Sequence, residues 1–411
     1  MRKTLHFTIF FLISIPFLQA QDVLFATQGM YVTENAKAQE EVRTWYDKET
    51  DELKEVYLVR TSPMGKLRHG RYELFFQSGR LWQKGSYSDG ELSGLWQIYH
   101  ENGMMKQEIN FINGHKVGAF KTFHSINGAV KEEGSFLFDE VHGEVKMYYP
   151  NGTIKEIAYY NKGILDGEVL DYHEDGKLLQ KLYYNNGNID GPIEKYYPNG
   201  HIQERGYKVG EEYDGHFIGY YKNYEDGAKH KMCFYKDGML EGEYLGFYPE
   251  GQVSQKCYYK ANKLDSTWTE FYENGEKKLE GDYEDNVRVG TWQFFYEDGT
   301  LYLEGEYNND RKFQGTWMAY HPNGNKKQDG SYENGLAEGA WTFYYEDGSL
   351  KRTGFYKNDK PDGEWKEYYE GGTQLKMEGI YSMGTKNGIF ISYDEEGNVV
   401  VKETYENGIK K

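Results

Sequence analysis

Glycine recurs along this chain with a period that few folds can accommodate. One series runs Gly79, Gly103, Gly128, Gly152, Gly176, Gly200, Gly227, Gly251, Gly275, Gly299, Gly324, Gly348, Gly372 and Gly397, at intervals of 24 or 25 residues with a single interval of 27. A second series accompanies it from Gly70 to Gly388, with Ser266 at one position. Self-similarity at such a period is the signature of a repeat architecture, in which each unit buries its apolar surface only against its neighbours.

The unit beginning at Gly339 shows what each copy folds into. Trp341 to Tyr345 is a run of aromatic and β-branched residues suited to a pleated strand. Glu346-Asp347-Gly348 is a hairpin turn, with glycine at the place that needs positive φ. Leu350 to Tyr356 is the return strand, and Lys357 to Gly363 reads as a polar connection to the next hairpin. No segment carries a sustained helical period with caps.

Three columns line up when the units are stacked. Trp96, Trp268, Trp292, Trp317, Trp341 and Trp365 stand seven residues before a turn glycine. A tyrosine or phenylalanine stands eight residues after most turn glycines, as at Tyr87, Tyr283 and Tyr356. Two residues earlier lies a small residue, as at Gly85, Gly281, Gly330 and Gly354, which leaves room for a neighbouring ring on the same face. The reading is an all-β fold: an elongated single-layer antiparallel sheet of about 14 stacked 24-residue β-hairpin repeats, with the tryptophan column as its core. The 27-residue interval places an insertion around Phe217 to Asn223.

Composition agrees. Glycine (49) and tyrosine (40) are abundant, proline is scarce (8), and aromatics make up 17% of a chain whose mean hydropathy is −0.86. An ordinary globular core of leucine, isoleucine and valine does not look like this, whereas a thin sheet with every residue near water does.

The chain divides into three parts. Residues 1–20 read as a Sec signal peptide: Arg2 and Lys3, an apolar run from Leu5 to Leu18, then Ala20 before the cut. That places the protein in the periplasm, at the outer cell surface or in the medium. Residues 21–69 read as a degenerate N-terminal capping hairpin, with Trp45-Tyr46 and Val56-Tyr57 flanking a turn without glycine, and residues 70–411 as the array.

Units such as Tyr332-Glu-Asn-Gly-Leu-Ala-Glu-Gly339-Ala-Trp341 resemble the bacterial MORN-repeat variant family, over nearly all of residues 70–411 and weakly over 44–69. The resemblance implies a scaffolding or dimerising role, phospholipid association, or neutralisation of a toxin in the manner of YwqK-type antitoxins. The Gly-x-Trp here departs from the second glycine usual in that family. No catalytic residues come with the resemblance.

Charge and motif content narrow the functions. A formal net charge of −18 repels nucleic-acid phosphates and anionic lipid headgroups. There is no Gly-x-Ser-x-Gly, phosphate-binding loop or His-Glu-x-x-His. Carboxylates recur in turns at the repeat period, as turn formers do. Cys233 and Cys257 share the small-residue column, so two strands, about 9–10 Å, separate them. A disulfide needs Cα atoms within about 7 Å, so both are expected to be free thiols. His100, His173 and His321 occupy a column that elsewhere holds tyrosine, which reads as substitution and not as a metal site. No catalytic, metal or cofactor site is expected, and no enzyme.

The remaining candidates are the pre-turn tyrosines Tyr149, Tyr197, Tyr345 and Tyr369, rings that can stack on a sugar or grip an extended peptide if their face is open. The expected role is a non-catalytic protein-interaction or scaffolding surface, with a carbohydrate or cell-wall binding module as the alternative.

Overall fold

A computed structural model describes residues 39–225 and 227–411. Residues 1–20, read from the sequence as a signal peptide, and residues 21–38 of the segment read as a cap lie outside the described residues. Among the described residues there are 37 strands and no helix. Contacts divide the chain into two units, one running to Gly167 with Glu174–Gly176, the other comprising Glu168–His173 and Lys177–Lys411.

The first unit opens with the hairpin Glu40–Asp47 and Glu52–Ser62, in which Trp45 Nε1 donates to Asp51 at 2.8 Å across the glycine-free turn. Strand Gly65–Phe75 pairs with its second arm, and each later strand pairs antiparallel with its neighbour in the chain. Trp96 is buried, with Tyr72 and Tyr87 against it at 5.5 and 5.3 Å between ring centroids. Towards the end of this unit Phe120 and then Val145 take the tryptophan's place.

The second unit repeats the same hairpin more regularly. Leu336–Tyr344 pairs with Leu350–Lys357, Trp341 directly opposite Gly354. The loop between them closes when the Tyr345 N–H donates to the Ser349 carbonyl at 2.9 Å and the Gly348 N–H to the Tyr345 carbonyl at 3.0 Å. Gly348 takes φ 84, and the register slips beside it at Phe343/Tyr344. This is a three-residue loop ending in a left-handed glycine bulge. Asp347 accepts the Ser349 N–H at 2.8 Å and stiffens it.

The opposite rim corrects the sequence reading. The segment taken as a polar connection is a second tight turn: Asn358 and Asp359 both have positive φ (48 and 64), as a type I′ hairpin requires, and pairing resumes at once with Tyr356 opposite Pro361. Asn334-Gly335 makes the same turn one unit earlier. The second glycine series therefore lies within strands. At Gly339, φ 76 accompanies a register slip between Asp329 and Ser331, a bulge in the pleat.

The insertion is also placed differently. Phe217 sits in the regular strand Gly215–Tyr220, buried and opposite Cys233 in the tryptophan's position. The extra residues lengthen the following loop, which closes only when the Tyr221 N–H reaches the Ala228 carbonyl at 2.9 Å.

Candidate binding surfaces

The core face follows from one steric fact. The small residue at Gly330 stands opposite Trp317 in the register and beneath the indole of Trp341; a methyl added there would lie 2.1 Å from Trp341 Cδ2. Gly281 and Gly354 face Trp292 and Trp365 at 2.2 and 2.1 Å in the same way, as Gly85 faces Trp96 at 2.3 Å in the first unit. Each indole thus lies flat on backbone, and its rim takes tyrosine edges on both sides: Tyr332 and Tyr356 stand at 5.2 and 5.6 Å from Trp341, interplanar angles 88° and 77°. Edge-to-face pairs of this kind add about 0.5–1.5 kcal/mol each beyond area burial. Arginines close the stack where they can: the guanidinium of Arg352 is 4.3 Å from the Phe343 ring and 5.0 Å from Trp365.

Where the small residue is cysteine, the ring above gives way. Cys257 is fully buried, and Trp268 is the one tryptophan among the six in its column that remains half-exposed, its Nε1 turned to Glu270 at 3.3 Å. Both cysteines are free, and burial pushes the thiols of Cys233 and Cys257 up from their ordinary range. They are packing residues, poorly suited to nucleophilic or metal chemistry.

The pre-turn tyrosines belong to the scaffold. The Tyr345 hydroxyl donates to the carbonyl of Tyr368 in the next unit at 2.9 Å, Tyr369 to Tyr393 at 2.8 Å, and Tyr197 to Tyr220 at 3.0 Å. Tyr248, Tyr272 and Tyr296 repeat the bond at 2.8 to 3.1 Å. Tyr149 is half-buried at the same position in the first unit. Tyr344 and its counterparts end the strand beside the register slip, and their carbonyls accept a hydrogen bond from the pre-turn side chain of the previous unit. Histidine does the same work: His321 Nε2 lies 3.1 Å from the Tyr344 carbonyl, and His124 Nε2 2.9 Å from that of Tyr148. At His321 and His124 the imidazole thus replaces the phenol, whereas His173 Nε2 is buried with no hydrogen-bond partner among the described residues.

The carboxylates on the other face are likewise engaged by phenols and lysines. Tyr148 donates to Glu133 at 2.6 Å and Tyr320 to Glu304 at 2.7 Å. Burial, then the hydrogen bond to the carboxylate, pushes each of these phenols up to about 12. The Tyr148 hydrogen bond, followed by that of Lys121, holds Glu133 below the usual carboxylate range. Among the described residues no group of three or more His, Cys, Asp or Glu is placed to hold a metal ion.

Two features of this solvent face escaped the sequence reading. One is an aliphatic patch at Phe355, Ile380 and Ile389, which are 51%, 44% and 48% exposed. With Ile391 and the charged Glu364, Lys366 and Glu378, the two isoleucines line a shallow depression of about 260 Å³. The other is a file of aromatics, Tyr183, Tyr207, Phe234 and Tyr258, each seven residues after a turn glycine and one before the core column, which holds Tyr184, Lys208, Tyr235 and Tyr259. Strict alternation along the return strand was the signal that separates this file from the core column beside it.

Comparison with known proteins agrees with the hairpin geometry. Among solved structures, the chain is similar to TcdB2-TccC3 lacking its hypervariable C-terminal region (11% identity, TM-score 0.17, 90% of this chain and 20% of that one). It is also similar to the Tc holotoxin pore of Photorhabdus luminescens (9% identity, TM-score 0.16, 87% of this chain and 22% of that one). The chain spans about a fifth of the length of those chains. No curated protein matches. The MORN repeat variant profile matches eleven segments, at 68–89, 92–113, 141–162, 165–186, 189–207, 240–261, 264–285, 288–309, 313–334, 337–358 and 386–407. These cover more than half of the sequence, most beginning near a bulge glycine, with Ser266 in its place at 264–285, and most ending in the type I′ turn. The chain belongs to the MORN repeat variant family.

Proposed function

We propose that this chain is a non-catalytic, exported repeat protein that works as a protein-interaction surface. The observation that carries the reading is the aliphatic patch of the second unit. Phe355, Ile380 and Ile389 project from this face with about half of their surface open, and Glu364, Lys366 and Glu378 stand around the two isoleucines. An apolar centre with a charged rim is how protein interfaces are built. The core indoles and the pre-turn phenols are occupied within the fold, which leaves this face to meet a partner. Export rests on the leader-like segment from Arg2 to Ala20.

Cross-linking in the native envelope, followed by mass spectrometry, tests the reading when wild type is compared with the double variant Ile380→Glu and Ile389→Glu. The reading expects a defined protein cross-linked to wild type and lost from the variant, with the protein fractionating outside the cytoplasm. The same cross-links in both, or none in either, would overturn it.

A further inference from the structure

We propose that the aromatic file Tyr183, Tyr207, Phe234 and Tyr258 is a binding track for an extended, uncharged β1,4-linked glycan. This site is separate from the aliphatic patch and stands or falls independently of it.

The file is built in register. Tyr207 lies opposite Pro192, Phe234 opposite His216 and Tyr258 opposite Glu243, so the four rings occupy every second strand in one row across the sheet. Two strand spacings put successive rings about 9.6 Å apart. A β1,4-linked chain in its extended form turns over at each sugar and presents the same face at every second one, a repeat of about the same length. A β-strand peptide, with a two-residue repeat of roughly 6.7 Å, drifts out of step with the rings.

The three tyrosines are held against neighbouring strands, and Phe234 pairs edge-to-face with His216 at 5.3 Å. Tyr207 donates its hydroxyl to Asp190 at 3.0 Å and Tyr258 to Glu243 at 3.3 Å, both on the preceding strand. Tyr183 rests over Gly191, where an added Cβ would come within 2.6 Å of it. Tyr183 and Tyr207 remain 42% and 40% exposed, so their surfaces are open to a sugar ring.

Hydrogen-bond balance selects the ligand. With their protons given to carboxylates, the Tyr207 and Tyr258 oxygens offer lone pairs, as do Asp190 and Glu243 themselves. A track of acceptors suits a ligand rich in hydroxyl donors. A polyproline helix, whose three-residue turn of about 9.3 Å also keeps step, brings carbonyl acceptors and no proline N–H. Charge disfavours a polyanion: Arg205 and Lys256, each two residues before a ring of the file, are already paired, with Glu194 at 2.8 Å and Glu243 at 2.7 Å.

Calorimetric titration with cellohexaose and chitohexaose tests the assignment, with α-linked maltohexaose, polygalacturonate and a polyproline peptide as the other arms. At least one β-linked hexamer should bind and the α-linked and anionic polymers should not. Tyr183→Ala, Tyr207→Ala, Phe234→Ala and Tyr258→Ala should each weaken binding about three- to tenfold, and Tyr207→Trp should retain it. Unchanged thermal melts and circular dichroism confirm that the variants fold. Failure of both β-linked hexamers to bind overturns the proposal. So does binding that survives removal of all four rings, or polyproline binding lost in the same variants with no glycan bound.

Discussion

Gly330→Ala is the sharpest perturbation of the core. Gly330 has ordinary extended backbone, so an alanine there meets no conformational penalty, and on backbone entropy alone it should stabilise by about 0.4–1 kcal/mol. The packing predicts the opposite sign. The new methyl would stand 2.1 Å from Trp341 Cδ2, where relaxed carbon contacts are about 3.5–4.0 Å. The indole must therefore withdraw by roughly 1.5 Å. It cannot do so freely, because Tyr332 and Tyr356 hold its two edges. Overpacking costs about 1–3 kcal/mol and each of the two weakened edge contacts up to about 0.5–1.5 kcal/mol, giving a local loss of about 2–6 kcal/mol before the entropic gain. Because long repeat arrays do not unfold as one unit, local amide exchange is the appropriate assay. Faster exchange is expected across strands Phe313–Tyr320 to Leu350–Lys357, with distant hairpins unaffected. In a Trp341→Val background the methyl has room, so the two changes should cost less together than the sum of each alone. Increased protection in Gly330→Ala, or strict additivity with Trp341→Val, would refute the reasoning.

Other expectations follow from the same contacts. Tyr345→Phe removes the bond to the Tyr368 carbonyl and should cost about 0.5–1.5 kcal/mol, read as faster exchange in the adjoining turns while the outer face is unaltered. Tyr148 and Tyr320 have pKa values raised in the fold, so the neutral phenol is favoured there. Their contribution is whole below the ordinary value of 10.0 and is lost as pH rises towards about 12, so tyrosinate absorbance and loss of sheet circular dichroism should rise together in that window. Glu133 is shifted the other way, and its contribution should fade as the pH falls below 4.5, measurable in Glu133→Gln as a weakened acid dependence. Cys233 and Cys257 should resist thiol reagents at neutral pH until denaturant is added; prompt labelling of the native chain would contradict their burial.

The hairpins were legible because each physical requirement leaves a mark at a fixed place. Glu346-Asp347-Gly348 forms the loop expected of it, and the glycine–tryptophan pairing shows in the columns because an indole above a strand excludes every larger side chain. The second rim was harder to read. Asn334-Gly335 carries the familiar hairpin signal, but Asn358-Asp359 makes the same turn without glycine, and the bulge glycine beyond it resembles a loop residue. Phe217 was assigned to an insertion because a phenylalanine had replaced the tryptophan that marks its column. The pre-turn tyrosines drew attention as ligand contacts because nothing in a linear pattern reveals that a carbonyl of the next unit lies within reach of the phenol. The outer file from Tyr183 to Tyr258 stands next to the core column in sequence, and only the alternation of the pleat separates the two.

The central claim is that each hairpin is held to the next by continuous backbone pairing beneath the stacked rings. Residue-resolved hydrogen exchange on the native chain tests it most directly. Protection should rise and fall with the hairpin period: slow amides along strands such as Val287–Phe295 and Leu336–Tyr344, fast ones at turn residues such as Asp298 and Asp347. Protection concentrated in a few blocks, with intervening hairpins exchanging freely or with helical signals among the described residues, would contradict it.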